Sequence, residues 1–321
     1  MFFVLVLLNL PAIVFLVVMN GGRGFDNFSK ILVDASFFAA TLTVLLFFST
    51  ELNNLIKFSL LKYDEEMMQF QLFRGFGVAD ELLFSYSIAQ ALAFYLCLNG
   101  NFSWLKKIVY LSTLFFSIVL NAKIGILFCG FALFLYMFGS GLSFRRKLLI
   151  AVACFALLFF GFRLGDEEST FIVQLNSFYN EISAGSGSGV GESSVVTLFT
   201  EMLFLPDDFI GLMFGRGVYL FASTSGRASD SGWVLMLHFG GFLLTSLVLL
   251  FLVIVIVRLV KYKKLSLAVF VAVVFLAANL KGLFFAPKPG MRMFLLVYFF
   301  VIYDCMARKR AISLKESGVN K

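Results

Sequence analysis

Nine separate stretches of this chain are apolar enough, and most of them long enough, to be read as crossings of a lipid bilayer: 2–19, 31–48, 82–98, 108–120, 124–139, 148–162, 231–257, 265–280 and 293–303. A helix needs about 20 mostly apolar residues to cross hydrocarbon, and in lipid every backbone polar group must be satisfied internally. The chain therefore has to be all-helical and polytopic, a single membrane domain over 1–321. The fourth and ninth stretches are short, and we expect their helices to run on into the charged flank, with Lys106, Lys107 and Asp304 at headgroup level. Composition agrees: 60% of residues are hydrophobic and only 14% are charged, against about 25% charged in an average soluble protein.

The net charge of +7 could suggest nucleic acid, but no basic stretch is interleaved with aromatic residues, and that class is set aside. In membrane proteins Lys and Arg collect in cytoplasmic loops. Alternate loops do so here, at 23–30, 106–107, 145–147, 258–264 and in the tail from Arg308. We therefore expect a bacterial cytoplasmic membrane protein with its C-terminus inside and its N-terminus outside. Residues 1–19 lack a preceding basic region, which reads as a retained span and not a cleaved signal. The outside start leads us to expect a further helix upstream. On the outer side, 49–81 reads as partly interfacial. The largest connection, 163–230, reads as a partly helical periplasmic loop with a second helix over Val195–Phe204, closing on Pro206-Asp207-Asp208.

Cys97, Cys129, Cys154 and Cys305 lie in apolar runs without paired spacing and read as packing residues. With one histidine, His238, a histidine-built metal centre is not expected; we expect neither metal nor organic cofactor. His238 reads as a packed, hydrogen-bonded side chain. The alternating glycines Gly185–Gly191 lack a following Lys-Ser/Thr and read as a hinge, not a nucleotide loop.

Cations at the outer ends of spans need a reason. Arg74 in Phe73-Arg74-Gly75-Phe76-Gly77, Lys123 in the short turn Asn121-Ala122-Lys123, Arg216 in Phe214-Gly215-Arg216-Gly217, Lys281 and Arg292 all sit there. Each alone could snorkel to a lipid phosphate. Together they could serve a diphosphate, which needs several converging donors, Arg as a fork and Lys as a point charge. Asp230, at the mouth of the seventh span, reads as a helix cap, as a carboxylate able to take a proton from a hydroxyl, or as both.

These segments together resemble the Wzy-type O-antigen polymerases and the related O-antigen ligases. The resemblance rests on Leu72–Gly77 before a span carrying Ser85, Ser87 and Ala89, on Leu120–Leu127, on Leu212–Tyr219, and on Ser229-Asp230-Ser231-Gly232-Trp233 with Gly240-Gly241 in the following span. It implies a metal-independent membrane glycosyltransferase that joins repeat units carried on a polyprenyl diphosphate, for O-antigen, capsule or exopolysaccharide. Arg216 and Asp230 would then be catalytic, and Arg74, Lys123, Lys281 and Arg292 would contact the diphosphate or glycan. Partners would be the lipid-linked glycan, membrane lipids and a chain-length regulator. Where the ligases tend to carry a histidine, this chain has Asp230, which favours polymerase over ligase. Nine spans are fewer than the family's ten or more. A flippase or secondary transporter, and a non-catalytic assembly partner, are the rival classes; the former should show charges at mid-span and repeated halves.

Overall fold

A computed structural model describes residues 24–55, 84–139, 202–218, 229, 231–285 and 289–316. Among them every regular element is an α-helix: α1 (Gly24–Phe48), α2 (Thr50–Leu55), α3 (Phe84–Asn99), α4 (Trp104–Asn121), α5 (Lys123–Gly139), α6 (Phe209–Phe214), α7 (Gly232–Lys261), α8 (Leu265–Lys281) and α9 (Pro289–Glu316). By length and composition Gly24–Phe48, Trp104–Asn121, Gly232–Lys261 and Gly290–Ala307 can each cross a membrane, and Ile124–Gly139 and Leu265–Lys281 are shorter apolar helices. This is a helical membrane protein. The expected spans 2–19 and 148–162 lie outside the described residues. So do most of the interfacial stretch 49–81, of which α2 is described, and most of the 163–230 connection.

The centre of the bundle is α3. Residues 85–98 are buried without exception, and α1, α4, α5 and α9 all pack on this one helix. Its sequence explains why: Ser85, Ser87, Ala89, Ala91 and Ala93 let neighbouring backbones come close, which is how helices associate when lipid removes the hydrophobic drive between them. Polar side chains add directionality. The Thr43 hydroxyl lies 3.2 Å from the Tyr86 hydroxyl, which also accepts from Gln90 Nε2 at 2.8 Å, joining α1 to α3.

Helix ends are fixed by short connections. Between α3 and α4, Lys107 turns inward and donates from Nζ to the Leu98 carbonyl at 2.9 Å, placing a cation at the negative end of α3. The fourth and ninth helices do run past their apolar cores, to Trp104 and Glu316 respectively. A helix has no reason to stop where the first charge appears, because Lys and Arg can reach water from within the last turns. Between α4 and α5 a single extended residue, Ala122, makes the turn. Ser87 of α3 locks it, donating to the Ala122 carbonyl at 3.1 Å, with the Ile118 carbonyl at 3.4 Å.

The second apolar helix expected over Val195–Phe204 does not extend over its last three residues, 202–204. Met202 to Pro206 are non-helical, and 195–201 lie outside the described residues. A short helix does follow, as α6. Asp208 caps it by accepting from the Gly211 N–H at 2.9 Å, and Gly215 ends it. A carboxylate, six apolar-rich residues and a glycine form a start-and-stop signal for such a helix.

Candidate functional site

α7 is not one straight helix. Gly241 has φ 66° and ψ −167°, a conformation open essentially to glycine alone, and it divides the helix into 232–240 and 242–261. At such a break the carbonyls of the preceding turn lose their in-helix donors. In a membrane protein they must find others. They find them in the segment after α6: the Arg216 N–H donates to the His238 carbonyl at 2.8 Å, and the Gly217 N–H to the Phe239 carbonyl at 3.1 Å. The approach is backbone on backbone. A Cβ on Gly241 would lie 2.4 Å from the Met213 carbonyl, and one on Gly215, itself at φ 75°, would lie 2.4 Å from the Phe239 carbonyl oxygen.

Arg216 is thereby fixed to a membrane helix through its main chain, while its guanidinium stays half exposed. The guanidinium is not idle. Its Nε donates to Asp208 Oδ1 at 2.9 Å, and its Nη2 meets the same oxygen in an ion pair. Asp208 is held below the usual carboxylate range, first by the Gly211 N–H and then by Arg216. The sequence reading gave Asp208 no role, yet it both starts α6 and aims Arg216. His238 is half-buried edge-on to the Phe204 ring, 5.1 Å between centroids. It also hydrogen-bonds the Phe204 backbone, as expected of a packed, hydrogen-bonded histidine, while its Nε2 is buried with no partner among the described residues.

A second group of backbone ends meets at the start of α7. Gly232 sits against Gly282 at the end of α8, close enough that a Cβ would lie 2.4 Å from the Gly282 carbonyl oxygen. Ser231, the residue before α7, is buried and its hydroxyl bonds nothing among the described residues, while the Ser229 hydroxyl donates to the Met202 carbonyl at 2.8 Å. Asn279 of α8 is wholly buried and organises the turn after that helix: Nδ2 donates to the Phe275 carbonyl, and Oδ1 accepts from the N–H groups of Phe284 and Phe285. At the start of α9, the Gly290 N–H donates to Ser85 Oγ at 3.0 Å. Lys281 and Arg292 are exposed on either side of this junction. The structure thus brings the starts of α7 and α9 and the end of α8 to one end of the bundle.

Of the six residues expected at the site, Arg216, Lys281 and Arg292 can be followed to their side chains. Lys123 opens α5, its side chain outside the described residues; Arg74 and Asp230 lie outside them altogether. Among the described residues no three His, Cys, Asp or Glu gather as a metal set. No family model, curated protein or solved structure matches this chain. The neutral residues Ser85, Ser87, Asn279 and Asp208's partner glycine Gly211 carry the local geometry. They escaped a search for charge because a hydroxyl or amide holding backbone looks, in sequence, like any other small polar residue in a span.

Proposed function

We propose that the chain polymerises oligosaccharide repeat units carried on a polyprenyl diphosphate, at the outer face of a bacterial cytoplasmic membrane. The terminal hydroxyl of one lipid-linked unit attacks the anomeric carbon of another; the anomeric C–O bond to the diphosphate breaks, and the hydroxyl proton passes to Asp230. Arg216, helped by Arg74, Lys123, Lys281 and Arg292, holds the departing diphosphate. Electrostatic stabilisation of a developing anion by positioned donors is commonly the largest contribution to such a reaction.

The observation that supports this reading is the way Arg216 is held. Its main chain is tied to the break in α7 at His238 and Phe239, so the position of the cation does not depend on a mobile loop. Its partner Asp208 is exposed, and exposed ion pairs are weak. A doubly charged diphosphate can take the place of one carboxylate. Polysaccharide length tests the reading. In a strain lacking the gene, Arg216→Ala or Arg74→Ala should leave single-repeat glycans, and full-length chains from both variants overturn it.

A second reading, a lipid-glycan flippase or secondary transporter, is favoured by one observation: discontinuous helices are a feature of transporters, and α7 is interrupted at Gly241. Movement of a fluorescent lipid-linked oligosaccharide across vesicles containing only this protein, without chain growth, would decide for it.

A further inference from the structure

The residues that come after the break in α7, 242–261, number twenty and carry charge only at Arg258 and Lys261. At about 1.5 Å per residue they extend roughly 30 Å, the thickness of the hydrocarbon layer by themselves. α8 returns beside this piece after a three-residue turn, 262–264. Its 17 residues cover only about 25 Å, and they end where Gly282 touches Gly232. The start of α7 is therefore no higher than the end of α8. Residues 232–240 add no height; they run across the top of the span, with Trp233 Nε1 reaching down to the Leu276 carbonyl at 3.2 Å. The break at Gly241 accordingly marks a hydrocarbon boundary.

α6 is joined to that boundary through Arg216 and Gly217. Its buried residue is Gly211, covered by the side chains of Asp208 and Arg216, while three of its large side chains point away from them. Phe209 is 74% exposed, Ile210 70% and Phe214 64%, with Leu205 beside them at 61%. On α7, Phe239, Phe242 and Leu243 flank the break and are exposed as well. Six residues with this many bare apolar side chains, capped by Asp208 and followed by Arg216, have the division between an apolar and a charged side that in-plane membrane helices show.

We infer that α6 is an in-plane anchor: Phe209, Ile210 and Phe214 insert among acyl chains of the leaflet at the Gly241 end, with Asp208 and Arg216 at the phosphate layer above them. The occupant of this surface is lipid, because the patch lies at the height where hydrocarbon begins and continues the lipid-facing residues of α7. The inference stands whether or not the polymerase reading does.

Nitroxide labels at Phe209→Cys, Ile210→Cys and Phe214→Cys, read in full-length protein in vesicles of phosphatidylethanolamine and phosphatidylglycerol, test it. The unlabelled-site background from the native cysteines is measured on the parent protein and subtracted. The expected result is that at all three positions collision with oxygen exceeds collision with a water-soluble nickel chelate severalfold, while Gly217→Cys shows the reverse. Chelate access at the three positions, which would mean an aqueous surface, overturns the inference. So does immobilisation with access to neither reagent, which would mean that another protein segment covers the patch. Should a label at one position disturb folding, the other two still decide.

Discussion

Gly241 and Gly215 face each other across the contact between α6 and the break, and each occupies backbone space that side chains avoid. Placing alanine at Gly241 asks for two impossible things at once: a positive φ with ψ near 180°, and a methyl group 2.4 Å from main-chain atoms of Met213 that cannot swing aside. A strained backbone position costs on the order of 1–3 kcal/mol, and the clash comes on top. We expect Gly241→Ala to lower the melting temperature in detergent and to free the 202–218 segment to protease, whereas Gly130→Ala, where a Cβ meets nothing within 4 Å, should leave both unchanged or raise stability slightly. Equal behaviour of the two variants would show that the α6 contact is dispensable.

Asp208 offers a test by charge. Its carboxyl is depressed in the folded protein, from an ordinary value of 3.8. A depressed group contributes stability above its unfolded value and loses it as pH falls through the folded one. The pairing with Arg216 should hold unchanged from neutral pH down to about 5 and fail only below the usual carboxylate range, as followed by exposure of the 202–218 segment to protease. Asp208→Asn should keep the cap, since asparagine serves there equally well, while releasing Arg216. Under the polymerase reading this variant binds a diphosphate-headed lipid more tightly than the parent, measured by titration in detergent; weaker binding would assign Asp208 to the site itself.

Among elements, the junction of α8 with α9 depends most on one side chain. Asn279→Ala removes the acceptor for two buried N–H groups, those of Phe284 and Phe285, and the donor to Phe275. Leaving a buried donor unsatisfied costs about 1–3 kcal/mol, so the variant should unfold at lower temperature. This junction also shows what the sequence could and could not reveal. The helices α3, α4, α5 and α8 are legible to within a few residues because apolar runs mark them along the sequence. The break in α7 is not, since Gly240-Gly241 sits in an apolar run that looks continuous from 231 to 257. Whether two glycines bend a helix depends on a partner backbone arriving from elsewhere, and here that backbone is the stretch from Met213 to Gly217. For the same reason charge pointed to Arg216, Lys281 and Arg292 but passed over Ser87 and Asn279, whose work is on main-chain atoms.

At the scale of the molecule the described helix ends fall into two sets. At one end Lys264 Nζ lies 4.7 Å from the centroid of the Phe25 ring, and the Tyr95 hydroxyl donates to Ser266 at 3.0 Å. At the other, Gly290 meets Ser85 and Gly232 meets Gly282. Among the described residues these are the same two groupings that the alternation of Lys and Arg along the chain produces. Charge gives the orientation we propose: loop 258–264 carries four cations and no acid, and loops of that kind usually stay in the cytoplasm. Thiols introduced at Asn101 and Lys263 should react with a membrane-impermeant maleimide only after the cells are opened, and one introduced at Lys281 should react in intact spheroplasts, each corrected for the native cysteines. The reverse pattern would put Lys281 and Arg292 in the cytoplasm, where a polymerase of exported glycans has no use for them. Reaction of all three from one side would mean that the helices between them do not cross at all.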